Sequence, residues 1–438
     1  MINKIFNFRF TIFKYRFDGK DIVKHPLFTG GSLMVGGGMA VNIINYIYHL
    51  VMGRILGPAD YGVLASLFSI LYVTSIVPVS TSFAIVKFIS SAKTLTQKRI
   101  VYKSINSAVL VFALFATLGI TFSSPLISSF LKIDNVWNVV LIGPVFLFTV
   151  ITVVNQASLQ GVLKFIGVVG PNFISGLSKL VVGVVLIFLG WSVFGAMIGI
   201  LIGAIIAYYY SFRLAREFLG AKRGGKFNIL SFLKYSLPVF LQALAFTSFF
   251  TTDVLLVKHF FPDFDAGIYA AVSTLGKVIF YAASPIAAVM FPIVAGRKSR
   301  GEDYKKILVA SIGLTAAISA CIVLIYLFFP NLAIGVLYGI KYLTASKYLI
   351  WMGIFIGFYN IAYILTNYFL SIGKTIVFSL PLFFSVVQIV AIWMYHSSIL
   401  QVIQISLVLM LILCLSLGLY LVYDIHPALK SGVSSKGG

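Results

Sequence analysis

Three ionisable side chains stand deep inside long apolar runs. Lys179 sits near the middle of a run over about 170–190, Lys277 near the middle of one over about 266–294, and Asp253 about one turn from the end of one over about 234–257. A charged side chain at the centre of a bilayer costs about 2.5–3.5 kcal/mol on insertion scales, so it persists where it faces a wet cavity or a counter-charge. Asp253 is the one acid among eleven that falls within a run, and it can neutralise one lysine, not both. The surplus positive charge points to an anionic substrate between Lys179 and Lys277. Arg54, at the end of the first run, is a further candidate cation, although a snorkelling role fits it equally well. Asp253 is the candidate for coupling to a proton or sodium ion. Asn42, Asn45, Asn155, Gln156, Gln160, Gln242, Asn360, Asn367 and Gln388 add polar groups that either line the same cavity or join helices to one another.

Signals for covalent chemistry are sparse. Gly373–Lys374–Thr375 resembles the end of a phosphate-binding loop, but the glycine that loop requires would stand at 368, which is Tyr368. ATP is therefore not the expected energy source. His25, His49, His259, His396 and His426 are scattered, mostly near the ends of runs, and none has a metal-ligand spacing. Cys321 and Cys414 both lie within apolar runs. No catalytic residue, metal or cofactor is expected.

The elements that carry these residues follow from composition. Of 438 residues 60% are hydrophobic and 10% charged, and the mean hydropathy is +1.04. Soluble domains carry about 25% charge. A soluble core, a disordered chain and a disulfide scaffold are excluded, leaving an all-α polytopic integral membrane protein. Twelve runs of spanning length fall at about 29–52, 61–86, 102–122, 136–158, 170–190, 193–212, 234–257, 266–294, 307–329, 347–371, 375–395 and 399–423. They are continuous rather than alternating, which argues against a barrel. The expected organisation is a basic N-terminal arm (1–28), a first lobe (29–212), a basic linker (213–233), a second lobe (234–423) and a tail (424–438). The arm reads as a surface segment meeting anionic membrane lipid.

The net charge of +22 comes from 33 Lys and Arg against 11 Asp and Glu. It suggests nucleic acid only until the basic residues are placed. Of the 33, 26 fall in the arm, the tail and the gaps on one side of the runs, 5 in gaps on the other side, and the last two are Lys179 and Lys277. The positive-inside rule explains this distribution and puts both termini in the cytoplasm of a cell membrane, with no nucleic-acid partner. The halves also echo each other. Pro58 and Gly62 precede a run containing Pro78, and Pro262 and Gly267 precede one containing Pro285. Interrupted helices at matching places in two repeats are a transporter signature, so Pro78 and Pro285 are expected to be helix hinges.

At this level the chain resembles the Wzx-type polysaccharide-repeat flippases. The resemblance rests on GRILGPADYG (53–62), TTDVLLVKHFFPDFDAGIYAA (251–271), VLYGIKYLTASKYLIWM (336–352) and SIGKT (371–375), and extends over essentially the whole chain. This family belongs to the multidrug, oligosaccharidyl-lipid and polysaccharide exporter superfamily. The resemblance implies two six-helix lobes forming a V, as in MATE transporters, around a central cavity with alternating access. It also implies movement of a polyprenyl-pyrophosphate-linked oligosaccharide, such as an O-antigen unit, from the inner to the outer leaflet, driven by an ion gradient. The polysaccharide polymerase machinery is the implied protein partner. A MATE-like antiporter of drugs or organic anions is the alternative, although the first run lacks the acid that drug antiporters often carry. A membrane glycosyltransferase or polymerase is more remote, because no gap on the base-poor side exceeds about 20 residues.

The basic-residue distribution yields a topology test. In a background lacking Cys321 and Cys414, an impermeant thiol reagent applied to intact cells is expected to label a cysteine at Asp134 and not one at Ser231. The reverse pattern would invert the assignment.

Overall fold

The computed structural model describes residues 26–220 and 229–425, so most of the N-terminal arm, the centre of the linker and most of the tail lie outside the described residues. The chain opens with α1 (Pro26–Thr74), followed by α2 (Ile76–Ser91), α3 (Leu95–Phe122), the short α4 (Ser124–Leu131) and α5 (Trp137–Val140), α6 (Ile142–Gly161), α7 (Ile166–Leu186) and α8 (Ser192–Leu214). The second half contains α9 (Ile229–Phe249), α10 (Thr252–Phe260), α11 (Asp263–Ser299), α12 (Lys305–Phe328), α13 (Pro330–Leu337), α14 (Ser346–Ser371), α15 (Ser379–Met394) and α16 (Ile399–Ile425). Among the described residues no strand forms.

Among the described residues, nine helical stretches are long and apolar enough to cross a membrane, or ten if the bent pair α9–α10 forms one crossing. Two of the nine, Gly36–Ser91 and Ile166–Phe218, are 56 and 53 residues long. A straight 56-residue helix would extend about 84 Å, nearly three times the hydrocarbon thickness. Each is instead a hairpin. Gly57 has φ +77°, a conformation that suits glycine, and there the chain turns back. As a result His49 and Phe68, nineteen positions apart, have ring centroids 4.6 Å apart. The second hairpin turns at Gly190–Trp191–Ser192, where the expected turn lay, and brings Gly199 against Gly183. Among the described residues, counting each hairpin as two crossings and the bent pair as one gives twelve crossings, six before the linker and six after it.

Within each set the helices pack on their own neighbours, α7 on α8 and α3 on α6 in the first, α11 on α14 and α14 on α16 in the second. The sets meet along α1, α2, α9 and α11. The closest approach is between the repeated Pro–Gly turns. A Cβ on Gly62 would lie 2.7 Å from the Gly267 nitrogen, and a Cβ on Gly267 would lie 1.7 Å from the Pro58 oxygen. The two motifs that echo each other in sequence therefore dock on each other, backbone to backbone, at the base-poor end. Close to this contact the Arg54 guanidinium donates to the carbonyls of Val336 and Leu337, and the Tyr342 hydroxyl donates to the Gly53 carbonyl at 2.8 Å.

The interrupted helices differ in part from expectation. Pro78 has no N–H for the Thr74 carbonyl, and the helix breaks at Ser75 between α1 and α2. At Pro285 α11 runs on without a break, although it also contains Pro292. The stronger interruption lies in the seventh crossing, which the sequence reading treated as one helix. There α9 and α10 meet at a 41° bend. Backbone bonding tightens at the bend, with Phe250 and Thr251 donating to Thr247 and Ser248 at 3.3 Å. Carbonyls next to it find donors on other helices. Tyr359 donates to Phe246 and Gln388 to Phe249, both at 3.2 Å. A broken helix is tolerated in a membrane when neighbours resupply its hydrogen bonds in this way.

Gly267→Val is expected to force the turns apart or to cost about 1–3 kcal/mol in overpacking. The measurements are a melting curve and the labelling of a cysteine at Thr274 by an impermeant reagent from the base-poor side. Stability should fall and labelling rise; no change in either would mean that the contact does not close this end.

Candidate functional site

Between the two sets of helices lies a cavity of about 110 Å³. Its first wall, from α1, includes Asn42, Asn45, His49, Phe68 and Tyr72. Its second includes Val254 from α10 and Ala270, Ser273, Thr274, Lys277 and Tyr281 from α11. The spacing explains the α11 wall. Residues 270, 273, 274, 277 and 281 recur at helical intervals of three and four and occupy one face. Residues 65, 68, 69 and 72 do the same on α1. Among the described residues no carboxylate lines the cavity, and the ammonium of Lys277 gives it a positive character.

Aromatic rings take up the ammonium groups. Lys277 Nζ lies 5.2 Å from the Tyr72 ring centroid and 5.3 Å from that of Phe250. Lys179, from α7, lies 4.7 Å from Tyr48 and 5.5 Å from Phe68. Cation–π contact of this kind offsets part of the lost hydration without neutralising the charge. Phe68 and Tyr72 are themselves 6.2 Å apart, so one row of rings joins the two lysines across the two lobes. They do not share the cavity equally. Lys277 lines it, whereas Lys179 stands behind Tyr48 and Phe68. His49 lies within electrostatic reach of both lysines.

At the base-poor end of the cavity lies a hydroxyl cluster. The Tyr61 hydroxyl sits 3.1 Å from Thr274 Oγ1, 3.1 Å from the Tyr338 hydroxyl and 3.4 Å from His49 Nδ1. Three of its members come from different crossings, and the cluster joins the two sets of helices just inside the glycine contact.

Asp253 is fully buried, directly behind the cavity residue Val254. It occupies the first turn of α10, the N-terminus exposed by the break, where the helix dipole favours a carboxylate. The Tyr269 hydroxyl donates to one carboxylate oxygen at 2.5 Å, and the Val254 N–H to the other at 2.8 Å. Lys277 is near enough to interact with it electrostatically. Lys277 and Asp253 are thus brought together, and Lys179 is placed on the same ring array. Arg54 is set apart on the carbonyls that end α13, as a tie between the two sets of helices. Among the described residues no group of three or more His, Cys, Asp and Glu side chains is placed to hold a metal ion.

The family model described as "Polysaccharide biosynthesis protein" matches residues 51–347. The chain belongs to that family. A search of curated protein sequences gave no match. Among solved structures, this polysaccharide biosynthesis protein is similar to the lipid II flippase MurJ in an inward closed conformation, with 16% identity, a TM-score of 0.73, and coverage of 89% of this chain and 87% of that one. It is similar to an inward-facing multidrug resistance MATE family transporter of the MOP superfamily, with 15% identity, a TM-score of 0.67, and coverage of 90% and 96%. A MOP superfamily transporter from Pyrococcus furiosus, described as having a binding pocket of reverse polarity, matches with 16% identity, a TM-score of 0.60, and coverage of 94% and 99%. These likenesses establish the fold, an all-α multi-pass bundle shared with these structures.

Within this member of the family, several site residues escaped the sequence reading. His49, one of the scattered histidines, is buried on the cavity wall. Tyr48, Tyr61, Phe68, Tyr72 and Phe250 were not singled out, although Tyr61, Phe68 and Tyr72 fall on one face of one helix. The amides divide as the chemistry allows. Asn42 and Asn45 line the cavity. Asn155 bonds Tyr102 and Ser211, Gln156 bonds Asn172, and Asn360 bonds Ser319, so these join helices.

Tyr269→Phe removes one donor from a carboxylate with no access to water and is expected to destabilise the protein by about 1–3 kcal/mol. Because the two groups touch, Asp253→Asn combined with Tyr269→Phe should cost less than the sum of the single changes. Additive losses in a thermal denaturation series would show that the contact contributes nothing.

Proposed function

We propose that this protein is a secondary transporter, not an enzyme, that flips a polyprenyl-pyrophosphate-linked oligosaccharide from the cytoplasmic to the outer leaflet. The observation that carries the reading is the ammonium of Lys277 in an acid-free cavity between two lobes, connected by a row of rings to Lys179. The family supports a role in polysaccharide biosynthesis. The printed substrate of one structural neighbour, lipid II, is of the same chemical type, a lipid-linked saccharide.

A pyrophosphate carries at least two negative charges, and moving them unpaired through hydrocarbon would cost many kcal/mol. Lys277 meets the anion directly. Lys179 adds positive potential from behind Tyr48 and Phe68, and reaches the anion when those rings turn. A lysine ammonium attracts as a point charge without the planar two-point grip of arginine, so release remains possible. A cavity of about 110 Å³ has room for about three or four waters, hence for a phosphate group but not for a sugar chain. The lobes must therefore separate for the oligosaccharide to pass. Opening at the base-poor end breaks the Gly62–Gly267 contact and the Tyr61 cluster.

Asp253 is the proposed coupling residue for a proton or sodium ion. It sits at the break in the seventh crossing and within electrostatic reach of Lys277, so neutralising it changes the charge felt by the anion site. The polysaccharide polymerase machinery is the proposed protein partner on the receiving side.

The test uses purified protein titrated with a polyprenyl pyrophosphate, with melting temperature and transport in vesicles as the two readouts. Wild type should be stabilised, and Lys277→Ala should lose both the shift and transport. Lys179→Ala should weaken both, and Lys277→Arg should keep binding and slow turnover. Equal shifts in wild type and both alanine variants would end the anion-site reading. A shift by small organic anions with none by the lipid would favour the organic-anion antiporter.

A further inference from the structure

A second cationic site lies on the outside of α11, away from the central cavity. A groove of about 580 Å³ runs between α11 and α12. Its floor is apolar, with Ile286, Val289 and Ile293 on one side and Ala310 and Leu314 on the other. Val289 is 58% and Leu314 55% exposed, so the groove opens away from the protein, toward lipid. Its mouth, at the basic-loop end, is formed by Arg297 and Lys306.

The mouth carries an excess of positive charge, with Arg297, Lys298, Arg300, Lys305 and Lys306 close in sequence to only two acids, Glu302 and Asp303. Glu302 binds Arg300 through two contacts of 2.5 and 3.2 Å, and this pairing holds its carboxyl below the usual carboxylate range. It also forms a longer ion pair with Arg297, at 4.0 Å. Asp303 Oδ1 accepts the backbone N–H of Lys305 at 3.0 Å. Arg297 is oriented by donating to the Asp303 carbonyl at 3.1 Å. The Lys306 side chain is exposed and makes no hydrogen bond or ion pair among the described residues. Two cations thus stand over an apolar trough at the level where a membrane meets water.

We infer that this groove binds an anionic phospholipid, with its phosphate between Arg297 and Lys306 and an acyl chain along Ile293, Val289 and Leu314. The charge at the mouth selects against a zwitterionic headgroup, and the apolar floor selects against a free anion. Basic pockets between transmembrane helices on the cytoplasmic side suit such headgroups. Phospholipid also surrounds this surface at a concentration that a scarce lipid-linked saccharide cannot match, so mass action favours it as the occupant. Pro285 lies at the inner end of the groove and Tyr281, one turn further along α11, lines the central cavity. A lipid here would therefore brace the helix that carries Lys277.

The experiment compares phosphatidylglycerol with phosphatidylcholine of the same acyl chains, added to purified protein in detergent. Phosphatidylglycerol should raise the wild-type melting temperature by about 3 °C more than phosphatidylcholine does. Lys306→Ala, which breaks no contact in the fold, should remove most of that difference. Val289→Trp, which fills the groove and leaves both cations in place, should remove it as well. Should Val289→Trp fold poorly, native mass spectrometry of wild type and Lys306→Ala gives the same answer, with fewer retained phosphatidylglycerol molecules in the variant. The inference fails if the two lipids stabilise wild type equally, if Lys306→Ala keeps the preference, or if inorganic phosphate alone reproduces the shift. A larger Lys306-dependent shift from a polyprenyl phosphate at equal concentration would also overturn it, by assigning the groove to the substrate.

Discussion

A lysine held within the span of a bilayer needs somewhere for its charge to go, and that requirement organises the centre of this protein. Salt bridging is one solution, but it would leave no attraction for an incoming anion. Here Lys179 and Lys277 rest mainly on aromatic faces. A ring quadrupole contributes about 0.5–2 kcal/mol of attraction and carries no net charge. The positive potential therefore survives into the cavity. The same requirement accounts for the polar lining of Asn42, Asn45, Ser273 and Thr274, which can hold water around Lys277 when no anion is there.

Asp253 is managed differently. It is enclosed, hydrogen-bonded on both oxygens, and kept out of the cavity by one residue. That position lets it act on Lys277 through space without closing an ion pair that would neutralise it. The break between α9 and α10 is what makes the arrangement possible. It supplies a helix N-terminus in the middle of the fold, and the Tyr359 and Gln388 side chains repair the backbone bonding that the break disturbs. The lone intramembrane acid and the discontinuous helix are thus two parts of one local solution.

Much of this was legible in the sequence, for identifiable reasons. Apolar runs of about 20 residues specify crossings almost without ambiguity, because each backbone group in hydrocarbon must be bonded within its own helix. Lys179, Lys277 and Asp253 stood out because charge within such a run is rare. The echo of Pro58–Gly62 in Pro262–Gly267 was visible too, but its meaning was not. Sequence can show that two turns are alike and not that they touch. The bend at Phe250–Thr251 was hidden because it lacks proline. It arises from a Ser/Thr-rich stretch in which Thr251 bonds the Thr247 carbonyl and Ser248 bonds Thr252, side-chain contacts with no sequence pattern of their own. Arg54 suits an anion site by type, and its position at a turn brings it to the carbonyls ending α13 instead of the cavity wall. The aromatic array was overlooked because Phe and Tyr are common throughout the chain, and only the fold distinguishes the rings beside a lysine from those facing lipid.

One helix connects nearly all of these features. Along α11, Gly267 meets the opposite lobe at the base-poor end, Tyr269 binds Asp253, Thr274 joins the Tyr61 cluster, and Lys277 enters the cavity. Pro285 and Arg297 follow toward the basic end. A helix without a break moves as a unit, so a shift of Lys277 toward an anion changes the fit of Gly267 against Pro58, about ten residues and some 15 Å away. The Gly267 contact has no room to adapt gradually, because backbone meets backbone there. In the proposed cycle, such a contact would serve as the two-state element that coupling between distant sites requires. In the proposed transport cycle, placing Lys277 and the glycine contact on one continuous helix would tie occupancy of the cavity to closure of its base-poor end.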